Sequence, residues 1–168
     1  MEHERNYERM RRRDREVKNP EEILAIMRQC DVCNVAFFDT EYPYVIPLNF
    51  GVEYENEEFT MYFHSSIAGK KLDLLQENNK VAFSMSCSHN LVTGDLACDC
   101  TMEFESVCGN GTIEILGEEE KMPALTKLMN HYQPGIEHKY DERLFKVVSV
   151  LKLNVNEIYG KRLKKKSM

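Results

Sequence analysis

Phe59-Thr-Met-Tyr-Phe-His-Ser-Ser-Ile-Ala-Gly-Lys-Lys-Leu-Asp-Leu-Leu75 contains a strand, a bend and the start of a helix in succession. Residues 59–64 are aromatic and β-forming and read as a strand. Helical spacing then turns Leu72 and Leu75 inward, with Ile67 or Ala68 beside them. The bend between gathers two hydroxyls at Ser65 and Ser66, a glycine at Gly69, two cations at Lys70 and Lys71, and the His64 imidazole. A phosphate dianion wants this inventory, because amide and hydroxyl donors satisfy its oxygens and ammonium groups balance its charge. The plainer reading is a serine helix cap followed by solvated lysines. Cations in a first turn oppose the helix dipole, which favours an anion nearby. The spacing is not that of a Walker loop, and no Gly-x-Gly-x-x-Gly occurs.

Working outward, Glu55-Asn-Glu-Glu58 turns the chain into this strand from an extended run over 44–54, where Pro47 removes a ladder donor and predicts a bulge or an edge. Before that lie an apolar strand at 32–38 and a helix opened by Asn19-Pro20-Glu-Glu22. That helix carries Ile23, Leu24, Ile26, Met27 and Cys30 on one face and ends near Asp31. Downstream, strands are expected at 80–88, 102–116 and 145–159, with a loop over 89–101. Gly109-Asn-Gly111 marks a bulge or hairpin. A helix over 118–132 turns Met122, Leu125, Leu128 and Met129 to one side, and a short helix follows at 140–145. Six strands with short turns and single helices, lacking strict βα alternation, imply a mainly β chain with some α (α+β): an antiparallel barrel with helices at its rim.

The 168 residues read as one core domain, 20–162, between a basic arm at 1–19 and a basic tail at 163–168. A formal charge of −6 argues against general nucleic-acid binding. No apolar run reaches membrane-spanning length and the N-terminus is charged where a signal peptide would be greasy, so a cytoplasmic location is expected. Six cysteines include Cys30-x-x-Cys33 and Cys98-x-Cys100. Cys33 reads as a strand residue and no second Cys-x-x-Cys knuckle is present, so free thiols and no metal are expected. His89, His131 and His138 lack ligand spacing and read as solvated.

Several further stretches carry a resemblance: Met10-Arg-Arg-x-Asp-Arg15, Pro43-Tyr-Val-Ile-Pro-Leu48, Tyr62-Phe-His-x-x-x-x-Gly-Lys-Lys-Leu72, Val81-Ala-Phe83, Phe104-Glu-Ser-Val107 ahead of Gly111, and Ile158-x-Gly-Lys161. In this order they resemble the FMN-binding split-barrel family related to pyridoxamine 5′-phosphate oxidase, in its nitroimidazole-resistance-like branch. The resemblance implies a six-stranded antiparallel Greek-key split β-barrel, forming a homodimer with one FMN in each of two clefts at the subunit interface. It puts His64, Ser65, Lys70 and Lys71 on the phosphate side and Ile46, Pro47, Leu48 and Asn49 by the isoalloxazine ring, with Phe63 also among the cofactor-binding residues. Ser84, Met85 and Ser106 are the strand residues it draws from the partner chain. The sequence departs from the family pattern in Asn49-Phe50 and in the Cys-rich loop from Cys87 to Cys100, where a substrate would approach.

Two functions follow from the resemblance. One is an FMN-dependent oxidoreductase that takes electrons from a small-molecule donor such as a reduced nicotinamide and passes them to a small acceptor such as a nitroaromatic. The other is a flavin-binding module for storage or sensing without turnover. The absence of a Ser-His-Asp or paired-carboxylate arrangement suits either, since the cofactor carries the chemistry. His64 has three readings: a phosphate donor, a residue at the flavin's reactive face (the candidate catalytic role), or a hydrogen-bonded strand end.

Overall fold

The computed structural model describes residues 10–164; residues 1–9 of the expected arm and 165–168 of the tail lie outside the described residues. In chain order the elements are β1 (Glu16–Val17), α1 (Pro20–Gln29), β2 (Cys33–Phe37), β3 (Tyr44–Leu48), β4 (Phe50–Glu55), β5 (Glu58–Ser66), α2 (Lys70–Glu77), β6 (Lys80–Val92), β7 (Thr101–Ile115), α3 (Glu118–Tyr132), α4 (Glu142–Phe145) and β8 (Val148–Leu163). Asn19 caps α1 as its sequence predicts, its side-chain oxygen accepting from the amides of Glu21 at 2.8 Å and Glu22 at 3.2 Å.

All strands join one antiparallel sheet in the order β3-β2-β6-β7-β8-β5-β4, with β1 beside β8. This is the α+β split-barrel class expected, with eight strands rather than six. The difference has two sources. The two-residue β1 pairs with Gly160 and Lys161, and the run over 44–54 divides at Asn49 into β3 and β4, which lie at opposite ends of the sheet. Pro47 therefore sits on an edge strand, where a residue without an amide donor is tolerated. Asn49 is held at the division: its amide donates to the Asp31 carbonyl at 3.3 Å and to the Tyr132 hydroxyl at 3.2 Å. That hydroxyl also accepts from Phe50 N at 3.0 Å and donates to the Asp31 carbonyl at 2.8 Å.

Phe37, Phe50, Met61, Phe63, Met85 and Leu153 fill the barrel, and α1 covers it with Ile23, Leu24, Ile26 and Met27. Gly109-Asn-Gly111 is a bulge within one continuous strand, since the β7–β8 register shifts between Asn110 and Gly111. A Cβ at Gly111 would press on the carbonyl oxygen of Asn154. β6 runs on to Val92, past the expected end at Ser88; a bulge between Cys87 and Asn90, with Ser88 at φ 55°, lets pairing resume. At this end the buried Glu105 carboxylate accepts from Ser88 Oγ at 2.9 Å and from Arg162, which also reaches Glu22 at 2.6 Å.

α3 lies outside β4 and β5, with Ala124 against Tyr62 and Val150 and with Leu128 over Gly51. Its buried face is rotated from expectation: Met122 is exposed, whereas Lys121 is buried and reaches Glu118 at 2.5 Å and the Phe145 carbonyl at 2.9 Å. Ile67 is likewise exposed rather than inward. No helix among the described residues is long and apolar enough to cross a membrane.

Candidate functional site

β5 leaves the barrel at Ser66, and after three intervening residues α2 begins at Lys70 with Gly69 as its N-cap. Gly69 adopts φ 138°, a conformation open to glycine, and a Cβ there would meet nothing within 4 Å. No side chain caps α2, so the serine cap of the plainer reading is not formed. Ser65 is instead buried, its hydroxyl donating to the Ser66 carbonyl at 2.9 Å. The bend thus presents an uncapped helix start, open space at Gly69 and two lysines.

Lys70 is already engaged. Its ammonium lies 2.6 Å from Asp39 Oδ2 and 4.9 Å from the Tyr44 ring centroid. Hydrogen bonds from Lys70 and the Thr40 amide hold the Asp39 carboxyl below its usual range. Lys71 is half-exposed and has no ion pair among the described residues. His64 is exposed on the outward face of β5, opposite Val150 of β8.

Lys70 over Tyr44 brings the bend against the first residue of β3. β3 pairs only with β2, so its outer edge offers unpaired backbone groups. Ile46 and Leu48 turn partly into the core and Pro47 faces out. Cross-strand pairing sets Pro47, Asn34, Ser84 and Cys108 in one row across the sheet, with Ser86 and Ser106 in the next. Ser84 and Ser106 therefore share an outer face with Pro47, whereas the side chains of Phe63, Ser65 and Met85 are buried. The Asn49 amide is spent on the Asp31 and Tyr132 contacts described above.

Sequence reasoning missed Asp39 and Tyr44, because nothing local in the chain ties a turn acid to a lysine on another element. His131, read as solvated, is half-buried against Phe50 at 4.4 Å between ring centroids, and its Nε2 donates to the Cys30 carbonyl at 2.9 Å. Burial lowers its pKa. Beneath α3, Lys127 reaches Glu53 at 2.5 Å and the Tyr62 hydroxyl at 3.2 Å, pinning the helix to the sheet. The six thiols are free, burial pushes Cys33 up to about 12, and no group of three or more potential ligands is arranged for a metal among the described residues.

No curated protein matches this sequence. Among solved structures, the chain is similar to a proposed 5-nitroimidazole antibiotic resistance protein from Bacteroides thetaiotaomicron VPI-5482, with 35% identity and a TM-score of 0.72 over 89% of this chain and 90% of that one. An FAD and heme binding protein from Mycobacterium smegmatis shares the fold at 17% identity and TM-score 0.78, over 90% of this chain and 74% of that one. The flavocytochrome Anf3 from Azotobacter vinelandii does so at 21% and 0.73, over 94% and 76%. The family model described as pyridoxamine 5′-phosphate oxidase matches residues 19–162, nearly the whole of the barrel and its helices, and the chain belongs to that family.

Proposed function

We propose that this protein binds FMN in a homodimer and works as an oxidoreductase, taking electrons from a small donor and reducing a small acceptor such as a nitroaromatic. The observation that carries the reading is the contact of Lys70 with Tyr44, which joins an anion-suited bend to a strand with a free backbone edge. The donor set fits the group: ammonium and amide donors at 69–71 suit the phosphate, and the β3 edge suits the polar rim of a ring. Family membership and the resistance-type relative at 35% identity support the same reading, as do neighbours whose names include flavin proteins. The outer face of β6-β7-β8, carrying Ser84, Ser106 and Cys108, is the surface on which a second copy would close the cleft.

Bound flavin supplies the electron transfer itself. The chain's part is to hold the phosphate at Lys70 and Lys71, to present β3 backbone groups to the ring, and to place His64 on the approach. An absorption spectrum of the purified protein tests the first step, and a colourless preparation that takes up no added FMN would sink the reading. Reduction by a nicotinamide and reoxidation by a nitroaromatic faster than free FMN is expected; equal rates would mean a binding module. Light scattering of the flavin-loaded protein is expected to give a dimer mass.

A further inference from the structure

Asp39, the partner of Lys70, also borders a shallow cleft of about 220 Å³. Its floor is flat because Ala36 and Ala82 face each other across β2 and β6. Two aromatic side chains that serve no core stand at its rim, Phe38 at 59% exposure and Tyr42 at 78%. Asp39 and Glu41 add carboxylate acceptors. The volume falls below the roughly 300 Å³ of the smallest drug-sized pockets, so it suits one ring system with its sugar and not a whole dinucleotide.

Aromatic walls over a small-residue floor select a flat heteroaromatic ring. Carboxylates select exocyclic amino and ribose hydroxyl donors and disfavour a further phosphate on the sugar. Because Asp39 both borders the cleft and pairs with Lys70, the cleft lies beside the lysine given to the flavin phosphate. We propose that this cleft receives the adenosine of a redox dinucleotide. Two sources carry that chemistry, the adenylyl half of a flavin dinucleotide and that of the nicotinamide donor. Naming these sources rests on the flavin reading above; the adenosine contact itself does not.

The test uses the full chain and isothermal titration with AMP, FMN, FAD, NADH and NADPH, on wild type and on the double variant Phe38→Ala/Tyr42→Ala. Both side chains are exposed, and an unchanged melting temperature checks the variant's fold. AMP is expected to bind wild type and to weaken about tenfold in the variant. If the source is the flavin, FAD binds at least about tenfold tighter than FMN and the variant erases the difference. If it is the donor, FAD and FMN bind alike while NADH binds tighter than NADPH, and the variant erases that preference instead. AMP that fails to bind, as when a second copy covers the cleft, or that binds both proteins equally, overturns the assignment. AMP binding without FMN binding would defeat the flavin reading while leaving the cleft assigned.

Discussion

Lys70 and Asp39 form a 2.6 Å ion pair that ties the bend after β5 to the end of β2. A phosphate arriving at Lys70 therefore competes with a carboxylate already there. Asp39→Asn is expected to tighten FMN binding severalfold at low salt, the gain shrinking as salt screens the charges. Weaker binding would mean instead that the carboxylate positions the lysine. Replacing Lys70 and Lys71 together by Ala should loosen FMN at least about tenfold, since a charge-assisted phosphate contact contributes roughly 1.5–3 kcal/mol. Unchanged affinity, read by fluorescence titration, takes both out of the site.

His64 stands exposed on the outward face of β5, just before the bend. His64→Ala is expected to lower turnover about a hundredfold while flavin content stays constant, the size of effect usual for a proton-transfer group. Loss of flavin in the variant would move His64 to the phosphate, and an unaffected rate would leave it a strand-end residue.

Glu105 is buried at the barrel end between Arg162 and Ser88. Burial alone would raise its pKa, but hydrogen bonds from Arg162 and Ser88 bring it below the ordinary 4.5. A depressed carboxylate contributes stability that is present above the unfolded value and lost as pH falls through the folded one. Glu105→Gln is expected to cost about 2–3 kcal/mol at neutral pH, less than a fully buried pair because Arg162 reaches solvent. Urea midpoints should show the two proteins converging as the medium is acidified below 4.5; a gap that stays constant would remove the ion pair as its cause.

Tyr132 Oη receives the Phe50 amide and the Asn49 side chain and donates to Asp31. Tyr132→Phe keeps the ring but strands the Phe50 N–H. The expected loss is about 1–3 kcal/mol, the range for leaving a buried donor unpaired. Thermal melts read it directly, and an unshifted midpoint would mean that water replaces the hydroxyl.

His131 is held neutral by burial, with Nε2–H on the Cys30 carbonyl. Its folded pKa lies below the unfolded 6.5, so the unfolded chain takes up protons first and stability falls as pH drops below that value. His131→Gln is expected to flatten the fall in denaturant midpoint between about pH 7 and pH 5. An equally steep fall in the variant would assign the effect to another group.

Features fixed by near neighbours were legible in the sequence. Asn19-Pro20 caps α1, and Glu55-Asn-Glu-Glu58 turns through Asn56 and Glu57 at φ 51° and 66°. Pro47 marks an edge. Features set by distant contacts were not. The apolar run over 44–54 carries no sign of its break at Asn49, because that break answers to Tyr132 and Asp31. α3 is turned so that Lys121 reaches the Phe145 carbonyl, a preference no helical periodicity contains. At the candidate site the lysines and the bend were readable, but Asp39 and Tyr44 come from another hairpin. The serine cap of the plainer reading does not form at Ser65 because strand alternation buries that side chain.

A mechanical consequence follows from the single residue between β3 and β4. These strands stand at the two ends of the sheet, yet Asn49 alone bridges them. Consecutive Cα atoms are about 3.8 Å apart, so the seam between the two ends cannot slide or gape by more than a few ångströms at that corner. Anything that levers β3 outward must drag β4, and with it the helix resting on Gly51. Strain applied at one lip of the barrel is delivered, through one peptide link, to the opposite wall.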